Sequence, residues 1–129
     1  MKILHIISSL IKKDGGLPEI VKNLAHQQNN SQVISHIATT RSKSKKLNLG
    51  SHLKGLKVYV FEREIFNSVQ FSYSFKKFID KNINKYDLIH IHGLYRFPTS
   101  YAAFKAKRNK IPYIISTHGA LDPYLYNTS

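Results

Sequence analysis

Two kinds of residue in this 129-residue chain carry chemistry that a ligand could use: a glycine pair, Gly15-Gly16, and four histidines on or at the ends of apolar runs, His5, His90, His92 and His118. Adjacent glycines let a backbone approach a ligand closely, and a helix that starts just after them offers N–H groups to a phosphate or carboxylate. The pair is not Gly-x-Gly-x-x-Gly, and no acidic residue closes the second apolar run, so a dinucleotide fingerprint is not formed. A plain turn before a helix accounts for the same two residues. His92 and His118 each stand immediately before a glycine, Gly93 and Gly119, whereas His5 and His90 lie inside their runs. The inner two are expected as buried, hydrogen-bonded core residues and the outer two as ligand-facing. Neutral imidazole is a common metal ligand, but the chain has neither a His-x-x-x-His pair on a helix nor a supporting carboxylate set, so no metal site is expected. The absence of cysteine removes thiolate sites, disulfides and a Cys nucleophile, and no Gly-x-Ser-x-Gly elbow marks a serine hydrolase.

The elements that must position these residues alternate. An apolar, β-branched run over residues 2–8 suits a strand buried on both faces. A turn ending in Asp14-Gly15-Gly16 leads into a helical pattern in which Leu17, Ile20, Val21, Leu24 and Ala25 share one side. Pro18 falls in its first turn, where the missing N–H costs nothing, and Glu19 favours the positive end of the dipole. Further strands are expected at 32–38, 56–61, 87–92 and 112–117, and helices at about 69–84 and 98–109. Phe71, Phe75, Phe78, Ile79 and Ile83 form the core side of the first of these helices. Strands alternating with helices predict a Rossmann-like, doubly wound parallel sheet of about five strands with helices on both faces. With strand order 3-2-1-4-5, ligands bind beyond the carboxyl ends of the strands, at the switch point between the first and fourth. The Gly15-Gly16 loop, His92-Gly93 and His118-Gly119 then converge in space.

Composition narrows the classes. Hydrophobic residues make up 42% of the chain, enough apolar surface to argue against wholesale disorder. No apolar run approaches the ~20 residues of a membrane-spanning helix, and Lys12-Lys13-Asp14 stands where a signal peptide would need small residues. A soluble, cytoplasmic, single-domain chain is expected. With 20 Lys and Arg against 7 Asp and Glu, the formal charge is +13. Such a surface suits polyanions, and a non-catalytic basic module binding nucleic acid or an anionic membrane surface is the alternative reading. The densest basic stretch, Arg41-Ser42-Lys43-Ser44-Lys45-Lys46, carries no interleaved aromatics for base stacking. No helix-turn-helix, RNA-recognition or zinc-finger signature is present, so nucleic acid is not the expected partner.

Three segments together resemble the N-terminal, acceptor-side part of group 1 (family 4) glycosyltransferases of GT-B architecture. They are Gly15-Gly16-Leu17-Pro18-Glu19-Ile20-Val21, Asp87-Leu88-Ile89-His90-Ile91-His92-Gly93, and Thr117-His118-Gly119-Ala120-Leu121-Asp122-Pro123-Tyr124. The resemblance implies retaining transfer of a sugar from a nucleotide-sugar to an envelope polysaccharide or lipid-linked acceptor, with no cofactor and no obligatory metal. Carried over by motif, His118 is the catalytic candidate, and Gly15, Gly16, His92, Gly93, Gly119 and Asp122 are the substrate-binding candidates. The resemblance also implies a donor site lying mostly in a second, C-terminal domain with a Glu-x7-Glu motif, which these residues do not contain. Residues 1–129 are therefore expected to form a single incomplete N-terminal domain, inactive alone, whose missing half would come from further sequence or a separate chain. Peripheral contact with anionic lipid at the inner membrane face is the further expectation, since many members of the resembled family act there and the basic surface suits it.

Overall fold

The computed structural model describes residues 1–10, 16–42, 55–64, 71–93 and 96–117. Five strands, β1 (Lys2–Ile7), β2 (Ile34–Arg41), β3 (Lys57–Glu62), β4 (Leu88–His92) and β5 (Tyr113–Ser116), and three α-helices, α1 (Leu17–Asn30), α2 (Tyr73–Asn82) and α3 (Phe97–Arg108), follow in the order β1-α1-β2-β3-α2-β4-α3-β5. The strands form one sheet in the order β3-β2-β1-β4-β5, and every neighbouring pair is parallel. The expected doubly wound, Rossmann-like α/β fold is the one observed, with β1 and β4 side by side at its centre.

Side chains alternate across the strands, so each face has its own core. One face sets Leu4, Ile6, Ala38, Ile89 and Ile91 against Phe75 and Ile79 of α2 and Ala102 and Ala106 of α3. Tyr59, Phe61 and Phe97 pack around this cluster, and the Tyr59 and Phe78 rings lie 4.6 Å apart. The other face is smaller, with Ile7, Leu10 and Ile37 against Val21 and Ala25 of α1.

Several boundaries differ from the expected ones for local reasons. The helix expected from 69 starts at Tyr73 because Ser72 keeps extended backbone, and its Oγ accepts from the Phe75 N–H at 3.2 Å while donating to the Glu62 carbonyl at 2.7 Å. That cap supplies a partner for a helix-end N–H. Strand β2 runs from 34 to 41 rather than 32 to 38, since its ladders extend from Lys2↔Ile34 to Arg41↔Glu62. In α1 the buried stripe is Pro18, Val21, Lys22 and Ala25, and Ile20 is half exposed. The expected side was thus displaced by a fraction of a turn. The buried Lys22 ammonium lies 2.8 Å from Glu19.

Candidate functional site

In a parallel sheet the carboxyl ends of all strands share one edge. Here that edge carries the ends of β1 at Ile7, β4 at His92 and β5 at Ser116, together with the start of α1 and the start of α3. Gly16 is the N-cap of α1, exposed and in right-handed backbone, and among the described residues a Cβ there would meet nothing within 4 Å. Neither local packing nor φ requires a glycine at this position. Gly93 has φ +99°, a conformation that L side chains rarely adopt, and its N–H donates to the Ser116 carbonyl at 2.9 Å. Glycine is required there by the backbone itself.

The histidines are brought together more closely than their sequence positions suggest. In the ladders His5 stands opposite His90, Ile7 opposite His92, and His92 opposite Ser116. His5 is also opposite Ile37, so all three imidazoles lie on the face covered by α1. The His90 and His92 rings stack with centroids 4.0 Å apart, and each lies 5.2 Å from the His5 ring. His5 Nδ1 is 2.9 Å from His92 Nε2, and His5 Nε2 is 2.6 Å from Gln28 Oε1. The same Gln28 oxygen accepts from the Ser35 hydroxyl at 2.5 Å. With Gln28 as acceptor, neutral His5 carries its proton on Nε2, so its Nδ1 accepts and His92 Nε2–H donates. His90 Nε2 lies 2.7 Å from Ser116 Oγ.

Burial pushes the His5 imidazole below its ordinary pKa, because desolvation outweighs the Gln28 hydrogen bond that favours the charged ring. His5 and His92 are buried and His90 is partly exposed. The expectation for His5 as a hydrogen-bonded core residue is met. His92 ends its strand before Gly93, but its ring turns into the imidazole cluster and is 1% exposed. Gly15, His118, Gly119 and Asp122, and the basic stretch from Lys43, lie outside the described residues.

No sequence motif marks Arg63 or Gln28. The Arg63 guanidinium donates to the Ser8 carbonyl at 2.8 Å and to Thr40 Oγ1 at 2.9 Å, while Thr40 Oγ1 donates to the same carbonyl at 2.7 Å. Arg63 thereby ties the segment after β1 to the ends of β2 and β3. Gln28 could have been found only by extending the buried stripe of α1 another turn beyond Ala25.

These features define a doubly wound, Rossmann-like α/β domain with polar and glycine residues gathered at the switch point of its sheet. The profile of the family described as Glycosyltransferase Family 4 matches residues 14–129. The chain belongs to that glycosyltransferase family. Among solved structures it is similar in fold to HepE (Alr3699) of Anabaena, determined in complex with UDP and glucose, at 20% identity and a TM-score of 0.58. The match covers 89% of this chain and 29% of that one, so the present residues span under a third of that protein's length. No curated relative matches the sequence at a significant level. Among the described residues no helix is long and apolar enough to cross a membrane.

Proposed function

We propose that these residues form the acceptor-side half of a GT-B glycosyltransferase that performs retaining transfer from a nucleotide-sugar to an envelope polysaccharide or lipid-linked acceptor. The observation that carries the reading is the family match over residues 14–129. Two features of the carboxyl edge support it. Gly16 opens α1 with an exposed backbone that no described side chain crowds, which suits the approach of a donor diphosphate to the N–H groups of the first turn. Gly93 holds a left-handed bend directly after His92, at the same carboxyl edge of the sheet. A similar fold solved with UDP and glucose is consistent with a nucleotide-sugar donor. The formal charge of +13 suits an acceptor held at an anionic lipid surface.

In this reading His118 faces the reacting sugar, and Gly15, Gly119 and Asp122 complete the wall. Stabilising a departing diphosphate needs donors aimed from both sides of the cleft, so residues 1–129 alone bind weakly and do not turn over. The second wall comes from further sequence or another chain. The test is kinetic, in the protein that carries both halves. His118→Ala should lower kcat by about 100- to 1000-fold, the effect of removing one transition-state donor, with KM for the nucleotide-sugar little changed. A destabilised variant with normal kcat per folded molecule would overturn the assignment of His118. Nucleotide-sugar-dependent transfer by residues 1–129 alone would overturn the two-wall argument.

A further inference from the structure

Of the features that the transfer reading leaves unused, the imidazole cluster is the most informative. One ring nitrogen from each of His5, His90 and His92 lies within 4.8 Å of the others. We propose that these three rings form a binding site for a divalent transition metal of the zinc, nickel or cobalt class, independent of the glycosyl-transfer reading. The backbone dictates the arrangement: a strand period of two puts His90 and His92 on one face, and the parallel register sets His5 opposite His90.

Three neutral nitrogens converging without a carboxylate match the donor preference of these ions, whereas magnesium and calcium require oxygen. Zinc–nitrogen bonds of about 2.0–2.1 Å in a tetrahedron place ligand nitrogens roughly 3.3 Å apart. The His5 Nδ1 to His92 Nε2 separation is 2.9 Å, so a shift of a few tenths of an ångström would suffice for that pair. An ion there takes the place of the proton between the two rings: His92 Nε2 gives that proton to solvent while its Nδ1 takes one up, so the ring stays neutral and each facing nitrogen presents a lone pair. The outer contacts required of such a site are already in place. Gln28 Oε1 accepts from His5 Nε2, which directs His5 Nδ1 inward, and Ser116 Oγ touches His90.

The β5 side of the cluster is the exposed one among the described residues. Helix α1 covers β1 and β2 on this face, while Ile114, opposite His90 in the ladder, is 48% exposed and His90 is partly exposed. Among the described residues no helix covers this margin, and His90 is the most exposed of the three rings.

The experiment titrates the untagged 129-residue chain with Co2+ in a non-coordinating buffer and follows visible absorption, with Zn2+ as competitor. Expected are one ion per chain, the intense d–d bands of four- or five-coordinate cobalt, and their loss on adding Zn2+. His90→Ala and His92→Ala should abolish saturable binding, and Gln28→Ala should weaken it by about 10- to 100-fold as an outer contact. His26→Ala should bind normally. Each variant's fold is checked by circular dichroism. The native chain provides a second readout that needs no substitution, the imidazole 15N signals under Zn2+. Shifts confined to His5, His90 and His92 support the site, and shifts at His26 or His36 instead overturn it. No saturable binding by the folded native chain, or unchanged binding in folded His90→Ala and His92→Ala, overturns it as well.

Discussion

Replacing Gln28 with leucine isolates the cost of the acceptor that anchors His5 in the imidazole cluster. Gln28 Oε1 accepts from His5 Nε2 at 2.6 Å and from Ser35 Oγ at 2.5 Å. His5 is 0% exposed and Ser35 is 1% exposed, so neither donor can turn to bulk water. Leucine keeps the apolar stem and removes the oxygen. A buried donor left without a partner costs about 1–3 kcal/mol. The hydroxyl of Ser35 can rotate, which reduces its share, so Gln28→Leu should destabilise by about 2–4 kcal/mol against a typical total of 5–15 kcal/mol. At roughly 4 °C per kcal/mol for a domain of this size, the melting temperature should fall by roughly 8–16 °C. The chain has no tryptophan and eight tyrosines, so urea unfolding is followed by circular dichroism and tyrosine fluorescence. Gln27→Leu, one residue away and exposed, should stay within about 0.5 kcal/mol of the parent. The 15N signals of His5 should also change, because nothing then fixes its proton on Nε2. A loss below about 0.5 kcal/mol with an unchanged His5 tautomer would refute the reasoning from unsatisfied donors.

In chelator-containing buffer, stability should fall on acidification. His5 is held below its ordinary pKa by burial, and His36 is held below it by burial and by the nearby Lys2 and Lys57 ammoniums, so from pH 6.5 downward the unfolded chain binds protons that the folded chain does not. Buried His5 removes up to about 1.4 kcal/mol per pH unit until pH reaches its lowered folded value, and the more exposed His36 removes less because solvent screens it; urea midpoints unchanged between pH 7 and 5 would contradict this. Gly93→Ala should destabilise by about 1–3 kcal/mol from backbone strain, since φ is +99° while a Cβ would meet nothing among the described residues within 4 Å. An unchanged denaturation midpoint would show that the bend relaxes freely.

The sheet was legible because alternation of apolar runs with helical periods constrains a parallel order to few choices, and the central pairing of β1 with β4 follows from it. The site was less legible, and register is the reason. His90 and His92 share a face by the period of two alone, but whether His5 joins them depends on which residue of β1 lies opposite His90. The sequence carries no local mark of that choice. The register His5↔His90 follows instead from packing Leu4 and Ile6 against the aromatic side and Ile7 against α1. Gln28 was hidden for a related reason. The apolar residues of α1 pointed to a side containing Ile20, while the sheet-facing stripe runs through Pro18, Val21, Lys22 and Ala25, and one more turn along it reaches Gln28. Arg63 forms no motif with its sequence neighbours, and its role arises only where the ends of β1, β2 and β3 meet.

The two faces of the sheet also divide the work, which explains how a cluster of buried imidazoles is tolerated. The α2–α3 side concentrates the bulky apolar side chains, including fully buried Leu4, Ile6, Phe75, Ile79, Ile83, Ile89 and Ile91, each worth about 1.5–3 kcal/mol relative to exposure. The α1 side buries Ile7, Leu10, Val21, Ala25 and Ile37, with Ile3, and its other buried strand positions hold His5, Ser35, Thr39 and His92. Polar groups on that side add stability only if their hydrogen bonds are complete. The asymmetry places the dense core opposite the polar cluster rather than around it, so the imidazole rings can rearrange around a ligand without opening the cavities that a shift among Phe75, Ile79 and Ile89 would leave.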